Sequence, residues 1–112
     1  MSEIVKTPEP PYYAVIFTSV RMEDDNGYSK MADEMVALVS KQPGFLGYES
    51  VRGIDGFGIT VSYWESLDAI KRWKDDPLHQ IAQNMGKEIW YKHFATRICK
   101  VERDNFQTGG HE

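Results

Sequence analysis

Cysteine is almost missing from this chain: its 112 residues contain one, Cys99. A lone thiol closes no disulfide within the chain and has no neighbour for a zinc knuckle, so packing has to hold the fold, as in a reducing compartment. Cys99 is expected as a small buried or half-buried strand residue. Long apolar runs are missing too. The run nearest the start, YYAVIF, is six residues, far short of the ~20 that a membrane-spanning helix needs. The opening MSEIVKTPEPP has two glutamates and three prolines where a secretory leader has a basic start and an apolar stretch. A cytoplasmic protein without membrane contact is expected.

Positive charge is in short supply. Thirteen Lys and Arg against seventeen Asp and Glu leave a formal charge of −4, and no basic run forms a patch able to neutralise several phosphates. No nucleic-acid partner is expected. The chain also lacks a glycine-rich phosphate loop, a His-Glu-x-x-His pair and a Gly-x-Ser-x-Gly elbow, so nucleotide binding, zinc chemistry and the commonest serine hydrolases have no support. The acidic run MEDDNG lacks the ligand spacing of a calcium loop and reads as a solvated turn. No metal site is expected.

Aromatic residues, by contrast, are plentiful, and all three tryptophans fall between Tyr63 and Tyr91. Around them the chain reads as one domain with a modest core. Residues 1–11 and 104–112 are polar, proline- or glycine-containing and aperiodic, so both are expected to be flexible, with the domain spanning 12–103. PYYAVIFTSVR is a strand with apolar residues on both alternating sets. Tyr28 to Lys41 repeats apolar residues at helical spacing and ends at Gln42-Pro43-Gly44. FLGYESVRG and FGITVSYWE form an antiparallel hairpin around GIDG. SLDAIKRWK is a short helix capped by Ser66. A second helix starts at Asp76-Pro77 and carries a continuous stripe through Leu78, Ile81, Ala82, Met85 and Ile89. HFATRICKVER is the last strand.

The order β-α-β-β-α-α-β predicts an α+β domain with helices on one face of a four-stranded antiparallel sheet. The other sheet face carries too many apolar side chains for water, which predicts a homodimer closed through the sheets.

The residues that suit chemistry lie on and around the second helix pair. His79 is the best acid or base, since only histidine titrates near neutrality unperturbed; it can equally serve as a local cap. Gln83 and Trp90 follow it at spacings of four and eleven residues, beside the apolar stripe. Trp73 and Trp64 offer rigid indole faces for a flat aromatic ligand, or simply core. Trp90 and Tyr91 suit a sealed helix end. Arg52 and Arg97, both in strands, must be paired or reach solvent, and Arg52 is also a candidate for binding a ligand anion. His93 and His111 read as a local hydrogen-bonding residue and part of the tail.

Two segments, QPGFLGYES (42–50) and YWESLDAIKRWKDDPLHQIAQNMGKEIWY (63–91), resemble the antibiotic biosynthesis monooxygenase (ABM) family of dimeric α+β barrels. The likeness covers nearly all of 12–103. Pro43-Gly44-Phe45, Trp64-Glu65-Ser66, Ala69, Trp73 and His79 carry it. The resemblance implies a ferredoxin-like sheet, a dimer closed into a barrel, and a pocket between sheet and helices. It also implies oxidation of a small aromatic, an anthrone or quinol, by O2 with no metal, flavin or nicotinamide cofactor. Carried over residue by residue, Trp73 walls the pocket, His79 accepts or relays a proton, and Gln83 or Tyr63 bonds ring oxygens of the substrate. The haem-degrading branch fits less well: its axial histidine falls at Gln83, and its first-strand asparagine has no counterpart in YYAVIFTSVR. A ligand-binding protein with this fold and no turnover is the other reading left open.

Overall fold

The computed structural model describes residues 3–108. Its elements run β1 (Tyr12–Arg21), α1 (Tyr28–Val39), β2 (Phe45–Arg52), β3 (Phe57–Trp64), α2 (Leu67–Lys74), α3 (Pro77–Met85), a π-helical turn (Gly86–Trp90) and β4 (Tyr91–Val101). This is the order expected from the sequence. The strands pair antiparallel in the order β2-β3-β1-β4, which makes the sheet ferredoxin-like.

Alternation sorts the strand residues into two faces. Tyr13, Val15, Phe17 and Ser19 of β1 stand opposite Trp64, Ser62, Thr60 and Gly58 of β3. This set faces the helices, because Trp64 sits in a core with Val39 of α1 and Ala69 and Ile70 of α2, against which Tyr13, Val15, Phe45 and Trp73 pack. The alternate set, which includes Ile16, Val20, Ile59 and Val61, forms an open face with no helix over it among the described residues. Val51 on that face is 74% exposed and Ile59 41%, so the apolar surplus expected from the sequence is there.

Local signals set the element ends. Ser66 accepts a hydrogen bond from the Ala69 amide at 3.1 Å, and Asp76 accepts from the Leu78 and His79 amides at 2.9 and 3.1 Å. Each satisfies amides that a helix start leaves orphaned. α1 stops at Val39, two residues short of Lys41, because the last turn tightens: the Lys41 and Gln42 amides bond the Leu38 and Val39 carbonyls, three residues back, ahead of Pro43. At Gly44, with φ +86°, an added Cβ would lie 2.6 Å from Ala69 Cβ, so glycine is what lets the start of β2 pack on α2.

The second helix departs from the continuous stripe expected through Ile89. After Met85 the chain widens into the π turn, and the Tyr91 amide bonds the Gly86 carbonyl. The wider turn buries Trp90, 4% exposed, whose Nε1 donates to the Asn26 carbonyl at 3.0 Å. A buried indole bonded to the β1–α1 loop outweighs one more regular turn, and β4 therefore begins at Tyr91, two residues before the expected start.

Cys99 is a correction: it is exposed. It lies opposite Ala14 on the open face, in the edge strand β4. The flanking segments make defined contacts. The Val5 amide donates to Glu49 Oε2 at 2.9 Å and the Tyr12 hydroxyl donates to Asp104 Oδ2 at 2.7 Å. Residues 1, 2 and 109–112, and with them His111, lie outside the described residues. Among the described residues no helix is long and apolar enough to cross a membrane.

Candidate functional site

Trp73 lies in the last turn of α2, and the short Asp75-Asp76 link folds α3 back so that His79 reaches it. The two rings stack 4.0 Å apart at 13°. His79 Nδ1 lies 2.9 Å from the Trp73 carbonyl oxygen. A carbonyl only accepts, so Nδ1 carries the proton and donates it, and in the neutral ring Nε2 keeps its lone pair. Among the described residues Nε2 has no hydrogen-bond partner. Burial holds the His79 pKa below the ordinary 6.5, against the opposing pull of the Trp73 carbonyl and of Asp76. The imidazole is therefore neutral at pH 7, with a free base nitrogen.

Gln83, one turn further along α3, donates through Nε2 to the Lys74 carbonyl at 3.0 Å and so ties α3 to the end of α2. The same nitrogen lies 3.3 Å from His79 Nδ1, a contact that closes the side of the imidazole. Trp73, His79 and Gln83 are thus gathered into one half-buried cluster packed on the core.

The other sequence-predicted residues are not brought to it. Trp64 is 1% exposed, with Nε1 donating to Ser62 Oγ at 2.9 Å, and it supports Trp73 from within the core. Tyr63, one residue earlier in the strand, points to the open face, where its hydroxyl donates to Glu49 Oε1 at 2.7 Å. Burial, then this bond, pushes the Tyr63 pKa up to about 12. Arg52 pairs with Gly58, six residues down β3 from Trp64, or about 20 Å along the strand. Trp90 packs edge-on against Tyr28, at the end of the fold where β4 begins.

Among the described residues, two of the surface hollows measure about 400 Å³ each. One is an apolar groove between α1 and α3 that includes Met31, Met35, Leu38, Leu78 and Ile81. The other lies beside the π turn and includes Met22, Asn26 and Ile89. None of the sequence-predicted residues lines either. Among the described residues no group of three His, Cys, Asp or Glu side chains is placed to hold a metal ion.

Sequence reasoning overlooked the surroundings of Arg52: Ser19, Gly56 and Tyr91. One signal was available, the isolated Gly58 inside a strand pattern, which marks a close approach of another group.

The four-stranded antiparallel sheet and its helices define a ferredoxin-like α+β class, and the comparisons agree with that fold. The chain belongs to the antibiotic biosynthesis monooxygenase family, whose model matches residues 11–85. It is 56% identical over 103 residues to YqjZ, an uncharacterised protein of Bacillus subtilis (strain 168), covering 92% of this chain and 90% of that protein. A variant of SnoaB, a cofactor-independent oxygenase from Streptomyces nogalater, has the same fold with a TM-score of 0.71 at 13% identity, covering 83% of this chain and 95% of that one. Rv0793 from Mycobacterium tuberculosis also scores 0.71 at 15% identity, covering 86% and 99%.

Proposed function

We propose that the chain is a cofactor-independent monooxygenase that oxidises a small electron-rich aromatic, an anthrone or quinol, with O2. The observation that carries this reading is His79: an imidazole kept neutral by burial, stacked on Trp73, its Nδ1–H spent on a carbonyl and its Nε2 free. Family membership and the fold shared with a cofactor-independent oxygenase support it.

The chemistry asks little of the protein. His79 Nε2 takes a proton from the substrate, and the resulting anion is electron-rich enough to give one electron to O2. Substrate radical and superoxide combine into a peroxide, which expels water as the proton returns. For a methylene carbon, CH2 and O2 become C=O and H2O, so atoms and electrons balance. Trp73 orients the flat substrate and, with the core beneath it, keeps water from the anion and the peroxide. Gln83 holds the corner between α2 and α3 and so the angle of the imidazole.

The working molecule is proposed to be a homodimer closed through the open sheet face, where Val51, Phe57 and Ile59 are exposed. The test of the chemistry is isotopic. With ¹⁸O2 and an anthrone, the product should carry one labelled oxygen atom and water the other. His79→Ala should lower the protein-dependent rate by about 10²-fold or more. A rate unchanged in both His79→Ala and Trp73→Ala would remove the pair from the mechanism.

A further inference from the structure

Arg52 is a half-buried cation without an acid. Among the described residues the ion pairs are Arg21–Asp25 and Lys71–Asp75, and Arg52 belongs to neither. A guanidinium has five N–H donors in a rigid fork. Nη1 donates to the Gly56 carbonyl at 2.6 Å and the Ser19 carbonyl at 3.3 Å, and Nη2 donates to Ser19 Oγ at 2.8 Å. Because Ser19 takes both the Nη1 and the Nη2 contact, it occupies the edge between those two nitrogens. The two donors left, Nε–H and the outer Nη2–H, are parallel and form the edge that grips a carboxylate in bidentate fashion. They have no acceptor among the described residues.

The surroundings hold the group rather than neutralise it. Ser19 is 1% exposed. Gly58 leaves space for the guanidinium: a Cβ there would lie 2.8 Å from Arg52 Cζ. Beside it the Tyr91 ring centre is 5.9 Å from Cζ. Phe17 and Phe94 continue that ring into an aromatic shelf, with centroids 5.3 and 5.9 Å from Tyr91. Phe94 at the outer end is 41% exposed. A second cation, Arg21, stacks on Tyr28 with Cζ 3.7 Å from the ring centre, and Tyr28 packs on Tyr91 at 5.9 Å. An anchored but uncompensated fork next to a partly bare aromatic shelf is complementary to one chemical class, a carboxylate on a flat aromatic ring.

We propose that Arg52, with the Phe17–Tyr91–Phe94 shelf, forms a binding site for aromatic carboxylates. The site is separate from the His79 corner and does not depend on oxygenation. The carboxylate pairs with Nε–H and Nη2–H of Arg52, and the ring lies against the shelf at Phe94.

The test is a titration of ¹⁵N-labelled full chain with 2-naphthoate and, separately, with its neutral isostere 2-naphthamide. Side-chain Nε–H resonances and calorimetry are the readouts. The proposal expects saturable binding of naphthoate with a shift of the Arg52 Nε–H signal, and naphthamide at least about tenfold weaker. Arg52→Lys keeps the charge but not the fork, and should also weaken naphthoate at least about tenfold. Phe94→Ala leaves the Arg52 network intact and should weaken it several-fold. Equal binding of acid and amide, no saturable naphthoate binding, or naphthoate affinity kept in Arg52→Lys would overturn the proposal. Should the Arg52 variant fail to fold, the acid–amide comparison in the native protein and Phe94→Ala decide the matter.

Discussion

At the scale of single residues, two tryptophans at the same end of the fold have different duties. Trp64 is sealed in the core, so Trp64→Ala should cost about 3–5 kcal/mol of stability, read by urea denaturation. Trp73 is half-buried with one face on His79, so its truncation should cost less stability and more activity. His79 makes a prediction of definite sign. Its folded pKa lies below 6.5, so on acidification the unfolded chain takes up a proton before the folded one does. The stability linked to neutral His79 is complete above about pH 6.5 and is lost as pH falls through the folded pKa. Urea midpoints between pH 5 and 7 should fall with pH in the native protein and fall less in His79→Gln. A slope of the same size in both would place the effect elsewhere. The same pKa should set the acid limb of turnover.

At the scale of elements, caps and close approaches dominate. Asp76 satisfies two amides at the start of α3, and Asp76→Ala should cost about 0.5–2 kcal/mol. It should also loosen His79, which sits in that first turn. Gly44→Ala combines a left-handed backbone with a 2.6 Å approach to Ala69, and should cost about 1–3 kcal/mol in the same assay. Both caps, the hairpin and the order of elements were legible in the sequence, because each rests on neighbours in the chain. The end of the second helix was not. Whether the chain takes an α or a π turn after Met85 depends on where Trp90 finds a partner, and that partner, Asn26, is 64 residues away. Part of the site was legible and was missed. Tyr63 and Trp64 are successive strand residues and cannot share a face, and the hairpin alone puts Arg52 at the end opposite Trp64. The bond from His79 to the Trp73 carbonyl was beyond sequence reasoning, since it depends on the angle at which α3 folds back on α2.

At the scale of the whole molecule, the sheet has helices on one face, and the other leaves Val51, Phe57 and Ile59 exposed. That exposed apolar surface predicts a dimer. Ile59→Lys should shift the mass by light scattering from two chains to one, with far-UV circular dichroism unchanged; a native mass of one chain would contradict the closure. Both proposed ligand positions belong to the helix side of the sheet, and the six-residue step along β3 from Trp64 to Gly58 keeps the His79 corner and the Arg52 shelf at opposite ends of it.

The proposed activity is turnover of an aromatic with O2 through the Trp73–His79 corner and without a cofactor. The direct test is oxygen uptake by metal-stripped protein against a panel of anthrones and hydroquinones, corrected for autoxidation and compared with a Trp73→Ala, His79→Ala double variant. Protein-dependent uptake should persist after metal removal and disappear in the double variant. Uptake no faster than autoxidation across the panel, or equal uptake by the double variant, would contradict it.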